Sequence, residues 1–252
     1  MMLLKTRALR WFLLVMVVFG VVLQAKAKDV QKQPHTVITT AELKAMIDSK
    51  TEQFLIIDAR NPEEFQDVHI PGAINIPAKK FNDYVKLLPR DKAAKLVFYC
   101  NGVKCGKSKR AAQKAFAMGY RKLYVYAEGM PVWEERGLPI ITGPDYEAKI
   151  ETTKISPQKL KTLIELQENN FTIVDVRDAA EYAEGHIPGA VNIPLASFAM
   201  RSGELDKNMI IIVYCNAGNR SYKAYRKLMK LAYKKYYQAL FADWKGSGFE
   251  VK

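Results

Sequence analysis

The chain's 252 residues, 49% of them hydrophobic, suffice to bury a substantial core and allow one or two domains. Its formal charge of +13 comes from 39 Lys and Arg set among 26 Asp and Glu, a scatter that argues against a nucleic-acid face and for a solvated surface that also attracts small anions. Three cysteines, an odd number without CxxC spacing and with no histidine at zinc-ligand spacing, argue against both a disulfide framework and a metal site.

At the amino terminus, Lys5, Arg7 and Arg10 precede an apolar run from Trp11 to Leu23 that closes on Ala25-Lys26-Ala27. A basic start, a short apolar stretch and small residues before a cut define a signal peptide over residues 1–27. The run is shorter than the roughly 20 residues that cross a bilayer. Export with cleavage, to the periplasm, is therefore expected over a retained anchor, and no stable membrane insertion is expected afterwards. Removing the segment takes four basic residues and no acid, leaving a charge of +9.

Phe54–Asp58 is a short apolar, β-branched run, as expected of a strand buried on both faces of a parallel sheet. Asn61-Pro62-Glu63-Glu64-Phe65 predicts a short helix with Asn61 as N-cap and Pro62 in its first turn. Strands follow at Ala73–Ile76 and Lys95–Tyr99. A polar turn after Cys100 leads into a helix over Ser108–Met118, and a further strand is expected at Leu123–Tyr126. Gly143, Pro144 and mixed charges between Ile141 and Thr153 mark a linker. The series then returns, with strands at Phe171–Asp175, Ala190–Ile193 and Met209–Tyr214, a helix over Ser221–Leu231 and a strand at Tyr236–Phe241.

The return is a sequence repeat. Ile57-Asp58-Ala59-Arg60 recurs as Val174-Asp175-Val176-Arg177, and the run from His69 to Pro77 recurs from His186 to Pro194, both at an offset of 117. Tyr99-Cys100-Asn101 recurs as Tyr214-Cys215-Asn216 at 115, and Trp133 and Gly137 recur as Trp244 and Gly248 at 111. A unit this long is a duplicated domain, whereas solenoid repeats run to roughly 20–50 residues. The expected architecture is α/β: two tandem domains over residues 34–143 and 154–252, joined by a linker over 144–153. Each is a small parallel sheet flanked by helices.

In each copy a cysteine ends a buried strand just before a helix. Converging backbone N–H groups and the helix dipole there favour a thiolate, lowering the thiol pKa below its free value of about 8.5, and hold an anion attached to the sulfur. In the second copy the loop reads Cys215-Asn216-Ala217-Gly218-Asn219-Arg220-Ser221, with Gly218 for the tight turn, Arg220 as a cationic fork and Ser221 as cap of the following helix. The repeated Tyr-Cys-Asn context argues for function over simple burial. The Tyr- and Lys-rich run from Tyr233 to Tyr237 is read as a helix end entering an aromatic strand, and no nucleic acid partner is expected.

The paired Asp-x-Arg and His-Ile-Pro-Gly-Ala motifs, the loop Cys-x-x-Gly-x-Arg-Ser and the later Trp and Gly resemble rhodanese domains, over nearly all of residues 37–252. The resemblance implies a thiosulfate sulfurtransferase, moving sulfane sulfur from thiosulfate or a similar small anion to cyanide or a thiol through a cysteine persulfide, without cofactor. It assigns Cys215 as nucleophile, the amides of Asn216, Ala217, Gly218, Asn219, Arg220 and Ser221 as cradle, and Asp175 and Arg177 as braces beside the site. Cys100, Asp58 and Arg60 take the corresponding places in the first copy.

There the loop, from Cys100 through Asn101, Gly102, Lys104, Cys105 and Lys107 to Ser108, is two residues longer, and Lys107 replaces the arginine. Lys104 and Lys107 remain able to orient a dianion. A longer loop in this family is associated with phosphatase relatives, but their Cys-x5-Arg pattern meets Gly106 here. Cys105 is a small loop residue or a resolving thiol. A non-turnover sulfur carrier and a redox protein using Cys100 and Cys105 are the competing functions.

Overall fold

The structure, a computed structural model, describes residues 34–252; the signal segment expected over residues 1–27 lies outside the described residues. The first domain runs β1 (Thr36–Ile38), α1 (Thr40–Ser49), β2 (Phe54–Asp58), α2 (Pro62–Asp67), β3 (Val68–His69) and β4 (Ile74–Asn75). After a 3-10 stretch at Ala78–Leu87 come β5 (Lys95–Tyr99), α3 (Lys107–Ala117), β6 (Lys122–Tyr126), α4 (Gly129–Glu135) and β7 (Ile141–Thr142). Its main sheet has the order β1-β6-β5-β2-β4 with every pair parallel. The second domain runs α5 (Pro157–Glu165), β8 (Phe171–Asp175), α6 (Ala179–Glu184), β9 (Val191–Asn192) and α7 (Phe198–Arg201). It continues through β10 (Ile210–Cys215), α8 (Asn219–Lys230), β11 (Tyr236–Leu240) and α9 (Phe241–Gly246). Its parallel sheet has the order β11-β10-β8-β9.

The central strands read as apolar runs because helices cover both faces, so alternate side chains enter two different cores. In the first domain Ile57, Leu96, Phe98 and Val125 pack on Ala111, Ala112 and Ala115 of α3. From the other face, Ile56, Val97 and Tyr99 pack with Leu43 of α1 and Trp133 of α4. The second domain repeats this with Ile211 and Val213 against Ala224 and Leu228 of α8. On its far side Ile212 and Tyr214 meet Leu160 of α5 and Trp244 of α9. The parallel order places both cysteines at the carboxyl edge of a central strand, where a helix N-terminus follows.

Several elements were not anticipated from the sequence, among them β1, α1, α5, the 3-10 stretch and the short pieces β3, β7, α4, α6, α7 and α9. β1 is three residues long, and α1 buries only Thr40 and Leu43, so neither carries much periodic signal. The second copy keeps just one bridge, Lys154 to Gln238, where a β1 equivalent would pair.

The linker is tied down rather than free: the Ile150 and Thr153 amides donate to the Tyr222 and Tyr225 hydroxyls of α8 at 3.0 and 3.2 Å. The two domains are joined through Glu135, whose carboxylate receives the Ala199 and Met200 amides of α7 at 2.8 and 3.2 Å and Lys227 Nζ at 2.7 Å. No helix among the described residues is long and apolar enough to cross a membrane.

Candidate active site

Cys215 ends β10 and is buried, with 2% of the residue exposed. Gly218 adopts φ 103°, a left-handed turn that glycine enters without a Cβ penalty, and this swings two amides inward. The N–H groups of Gly218 and Ser221 donate to Cys215 Sγ at 3.2 and 3.3 Å, and the thiol donates to Ser221 Oγ at 3.4 Å. Asn216, Ala217 and Asn219 form the exposed rim of the loop.

Ser221 does not cap α8, contrary to the sequence expectation. The helix starts two residues earlier, at Asn219, with Gly218 as N-cap. Ser221 therefore sits in the first turn, and its hydroxyl donates to the Gly218 carbonyl at 3.2 Å. A buried residue that sequence reasoning passed over holds this arrangement: Gln238 Nε2 donates to the Gly218 carbonyl and to Ser221 Oγ, both at 2.9 Å. Its signal was a lone amide inside the apolar strand Tyr236–Leu240.

Arg220 lies at the rim but is not a free fork. Its guanidinium pairs with both Glu181 oxygens, one at 2.8 Å, and approaches Asp178 at 3.5 Å. These Arg220 hydrogen bonds hold the Glu181 carboxyl down to about 2. A depressed acid stabilises the fold above its unfolded pKa, near 4.5, and that contribution is lost as pH falls towards 2. With Glu181 about a third exposed, solvent keeps the contribution small.

Beneath each site the duplicated motifs interlock. Asp175 is fully buried and receives Arg177 Nη2 at 2.5 Å, while the same nitrogen donates to the Gly185 carbonyl at 2.7 Å. Asn192 Nδ2 bridges the Asp175 and Arg177 carbonyls at 3.0 and 2.9 Å. The Tyr214 hydroxyl receives the Ile187 amide at 3.1 Å. Asp58, Arg60, Asn75 and Tyr99 repeat this network in the first domain, with Val68 supplying the carbonyl. These residues brace the strand ends. His69 and His186 stack on Phe65 and Tyr182.

The first-domain site is built differently. Cys100 is 1% exposed, and its Sγ faces Ser108 Oγ at 3.2 Å and the Cys105 carbonyl at 3.5 Å. Burial pushes the Cys100 thiol well above its ordinary pKa, and the Cys105 thiol beside it adds to the shift. The sequence expectation of a lowered pKa at both strand ends thus fails here. The physical reason is that the longer loop folds Cys105 over the sulfur and starts α3 only at Lys107.

The expected cations are also engaged. Lys107 Nζ bonds Glu64 at 2.8 Å, Lys104 Nζ bonds the Leu205 carbonyl of the second domain, and Asn101 Nδ2 bonds Glu64. Gly102 has φ 110° and lies against Leu231 of the second domain. Among the described residues there is no cluster of three metal-ligating side chains.

Gly129 supports this loop from below, at φ 73°. A Cβ there meets the Cys100 carbonyl oxygen at 2.3 Å and the Gly102 nitrogen at 2.4 Å. Gly129→Ala is expected to cost roughly 2–3 kcal/mol through left-handed strain and overpacking, read as an earlier urea midpoint.

A thiol that receives two loop amides between a parallel strand and a helix belongs to the α/β proteins that set a nucleophile at an anion-accepting turn. The chain belongs to the rhodanese-like family: the Rhodanese-like domain matches it twice, over residues 39–136 and 156–246. It is 37% identical over 95 residues to the "Putative sulfur carrier protein YrkF" of Bacillus subtilis (strain 168), covering 37% of this chain and 51% of that protein. It is 31% identical over 179 residues to the "Thiosulfate sulfurtransferase" of Gallus gallus, covering 58% of this chain and 61% of that one. The chain thus spans between half and two thirds of the length of these relatives. Among solved structures, a thiosulfate sulfurtransferase from Pseudomonas aeruginosa aligns at 20% identity and a TM-score of 0.38, covering 86% of this chain and 43% of that one.

Proposed function

We propose that the protein is a sulfurtransferase in which Cys215 takes sulfane sulfur from thiosulfate or a similar small anion and hands it to cyanide or a thiol. The observation that carries this reading is the pair of inward amides, Gly218 N–H and Ser221 N–H, on the Cys215 sulfur. The Cys215 thiolate attacks the outer sulfur of thiosulfate, a sulfur–sulfur bond forms, and sulfite leaves with the electron pair of the bond it loses. The persulfide anion then sits where the loop amides stabilise it, and an acceptor removes its outer sulfur, returning the thiolate. The family relationship and the sulfurtransferase names of its relatives support this reading. Export to the periplasm with cleavage after Ala27 belongs to the same proposal, and amino-terminal sequencing of the periplasmic chain tests it.

Incubating the protein with thiosulfate and cyanide and measuring thiocyanate is the direct test, with sustained formation expected. A stable gain of one sulfur on Cys215 without thiocyanate would mark a carrier instead, and no gain on Cys215 overturns the reading.

Arg220 guides the dianion only in competition with Glu181 and Asp178. Glu181→Gln removes one competitor from a partly exposed pair worth up to about 1 kcal/mol. The KM for thiosulfate is therefore expected to fall about two- to fivefold, measured by steady-state kinetics at low ionic strength. An unchanged KM would show that Arg220 does not touch the donor.

A further inference from the structure

The linker between the domains reaches the Cys215 loop through one buried side chain. Around Lys154 it lies against β11 where β1 lies against β6 in the first domain. The Gln238 amide donates to the Thr153 carbonyl at 2.9 Å, and the Ile155 amide donates to the Gln238 carbonyl at 3.0 Å. This course sets the Thr152 hydroxyl on Gln238 Oε1 at 2.6 Å. On its other side Gln238 Nε2 meets the Gly218 carbonyl and Ser221 Oγ, both at 2.9 Å. A carbonyl only accepts, so the amide nitrogen must face the loop, and its oxygen is left for Thr152.

The same reasoning places the Ser221 proton. An amide nitrogen only donates, so the Ser221 hydroxyl cannot donate to Gln238. Two acceptors remain, the Gly218 carbonyl at 3.2 Å and Cys215 Sγ at 3.4 Å. The carbonyl has two lone pairs, and the Tyr222 amide and Gln238 Nε2 already approach it at 2.9 Å each. Ser221 is therefore the third and most distant donor on a filled acceptor. While Cys215 is a thiol it donates to Ser221 Oγ, and the serine proton stays on the carbonyl. Once the thiol proton has gone to solvent, the sulfur accepts, and the hydroxyl turns to it beside the Gly218 and Ser221 amides. The first domain lacks this arrangement. Val125 stands opposite Phe98 as Gln238 stands opposite Val213, and an apolar side chain offers Ser108 no donor.

We propose that Gln238, held by Thr152 of the linker, is a positioning residue that moves the Ser221 hydroxyl off the Gly218 carbonyl and onto the Cys215 thiolate, giving that anion a third donor. The inference deepens the sulfurtransferase reading and rests on it for the role of the thiolate as nucleophile. Without Gln238 one lone pair of the carbonyl is open to the serine proton, and the sulfur anion keeps only its two amides.

Iodoacetamide alkylation of the full-length protein, followed by mass spectrometry on the tryptic peptide Asn208–Arg220, reads the reactivity of Cys215 directly. Gln238→Val is expected to slow alkylation at neutral pH about tenfold, the effect of one hydrogen bond to a charged group, and to reach the native rate at alkaline pH. Ser221→Ala should show the same loss, and the double variant should be no slower than Ser221→Ala alone, because both changes remove one donor. Thr152→Val, at a half-buried position, should slow the reaction about two- to threefold, with Thr152→Ser restoring it, and carries the test if Gln238→Val does not fold. A native rate in either Gln238→Val or Thr152→Val, a loss equal at every pH, or losses that multiply in the double variant overturns the inference. Thiocyanate formation by the native protein is scored separately. Its absence removes the sulfurtransferase reading and leaves the alkylation result standing, whereas its presence beside an overturning alkylation result removes only the role of Gln238.

Discussion

Cys215→Ser is expected to lower thiocyanate formation from thiosulfate and cyanide by more than about a thousandfold when no reductant is present. A serine oxygen in the same turn still receives the Gly218 and Ser221 amides, but it is not ionised at neutral pH and forms no stable bond to sulfane sulfur. The fold should survive, because serine is close to cysteine in size and the loop is held by Gln238 independently of the sulfur. Circular dichroism of the variant separates lost chemistry from lost structure. The first domain is not expected to rescue turnover in this assay, since burial pushes its strand-end thiol, Cys100, well above its ordinary pKa. Residual thiocyanate formation above a few per cent, sustained over many turnovers, would show that a first-domain cysteine passes sulfur directly to cyanide.

The second large effect concerns stability. Arg177→Ala leaves Asp175, fully buried at the end of β8, without the guanidinium that balances it, and removing one partner of a buried ion pair costs about 3–5 kcal/mol. The bond from Arg177 to the Gly185 carbonyl is lost as well, loosening the turn before His186. Urea unfolding followed by the fluorescence of Trp244, which packs in the same domain, should show an early second-domain transition. A double Asp175→Asn, Arg177→Met variant should regain part of the loss, because an amide oxygen at position 175 still accepts the Arg177-position backbone N–H. If the single and double variants unfold together, the cost lies in packing and not in the unpaired charge.

These two expectations separate motifs that look alike in one dimension. The Asp-x-Arg and His-Ile-Pro-Gly-Ala runs are the most regular part of the repeat, and the structure uses them as a brace under the strand ends. The tyrosines before Cys100 and Cys215 belong to that brace too, each receiving an amide from the His-Ile-Pro turn. Both are core residues whose hydroxyls have a partner at the sheet edge, a dual role that the short Tyr-Cys-Asn context did not reveal.

The order of residues alone determined that the chain is a duplicated α/β protein with a cysteine closing a central strand in each half. Local patterns suffice for that: apolar runs at strand length, turn residues after each cysteine, and a repeat whose offset drifts only where loops change length. The fold family followed from the same residues. What each cysteine experiences was decided by contacts between positions far apart in the chain. Gln238 fastens the Cys215 loop from another strand, Glu181 and Glu64 occupy the cations expected to meet substrate, and Leu205, Lys207 and Leu231 of the second domain close over the first-domain loop. Burial and donor geometry set a thiol's ionisation, and neither is a property of its neighbours in sequence. Two loops read as versions of one another therefore differ in kind: one turns its amides on Cys215, and the other buries Cys100 with its sulfur against the Cys105 carbonyl and Ser108 Oγ.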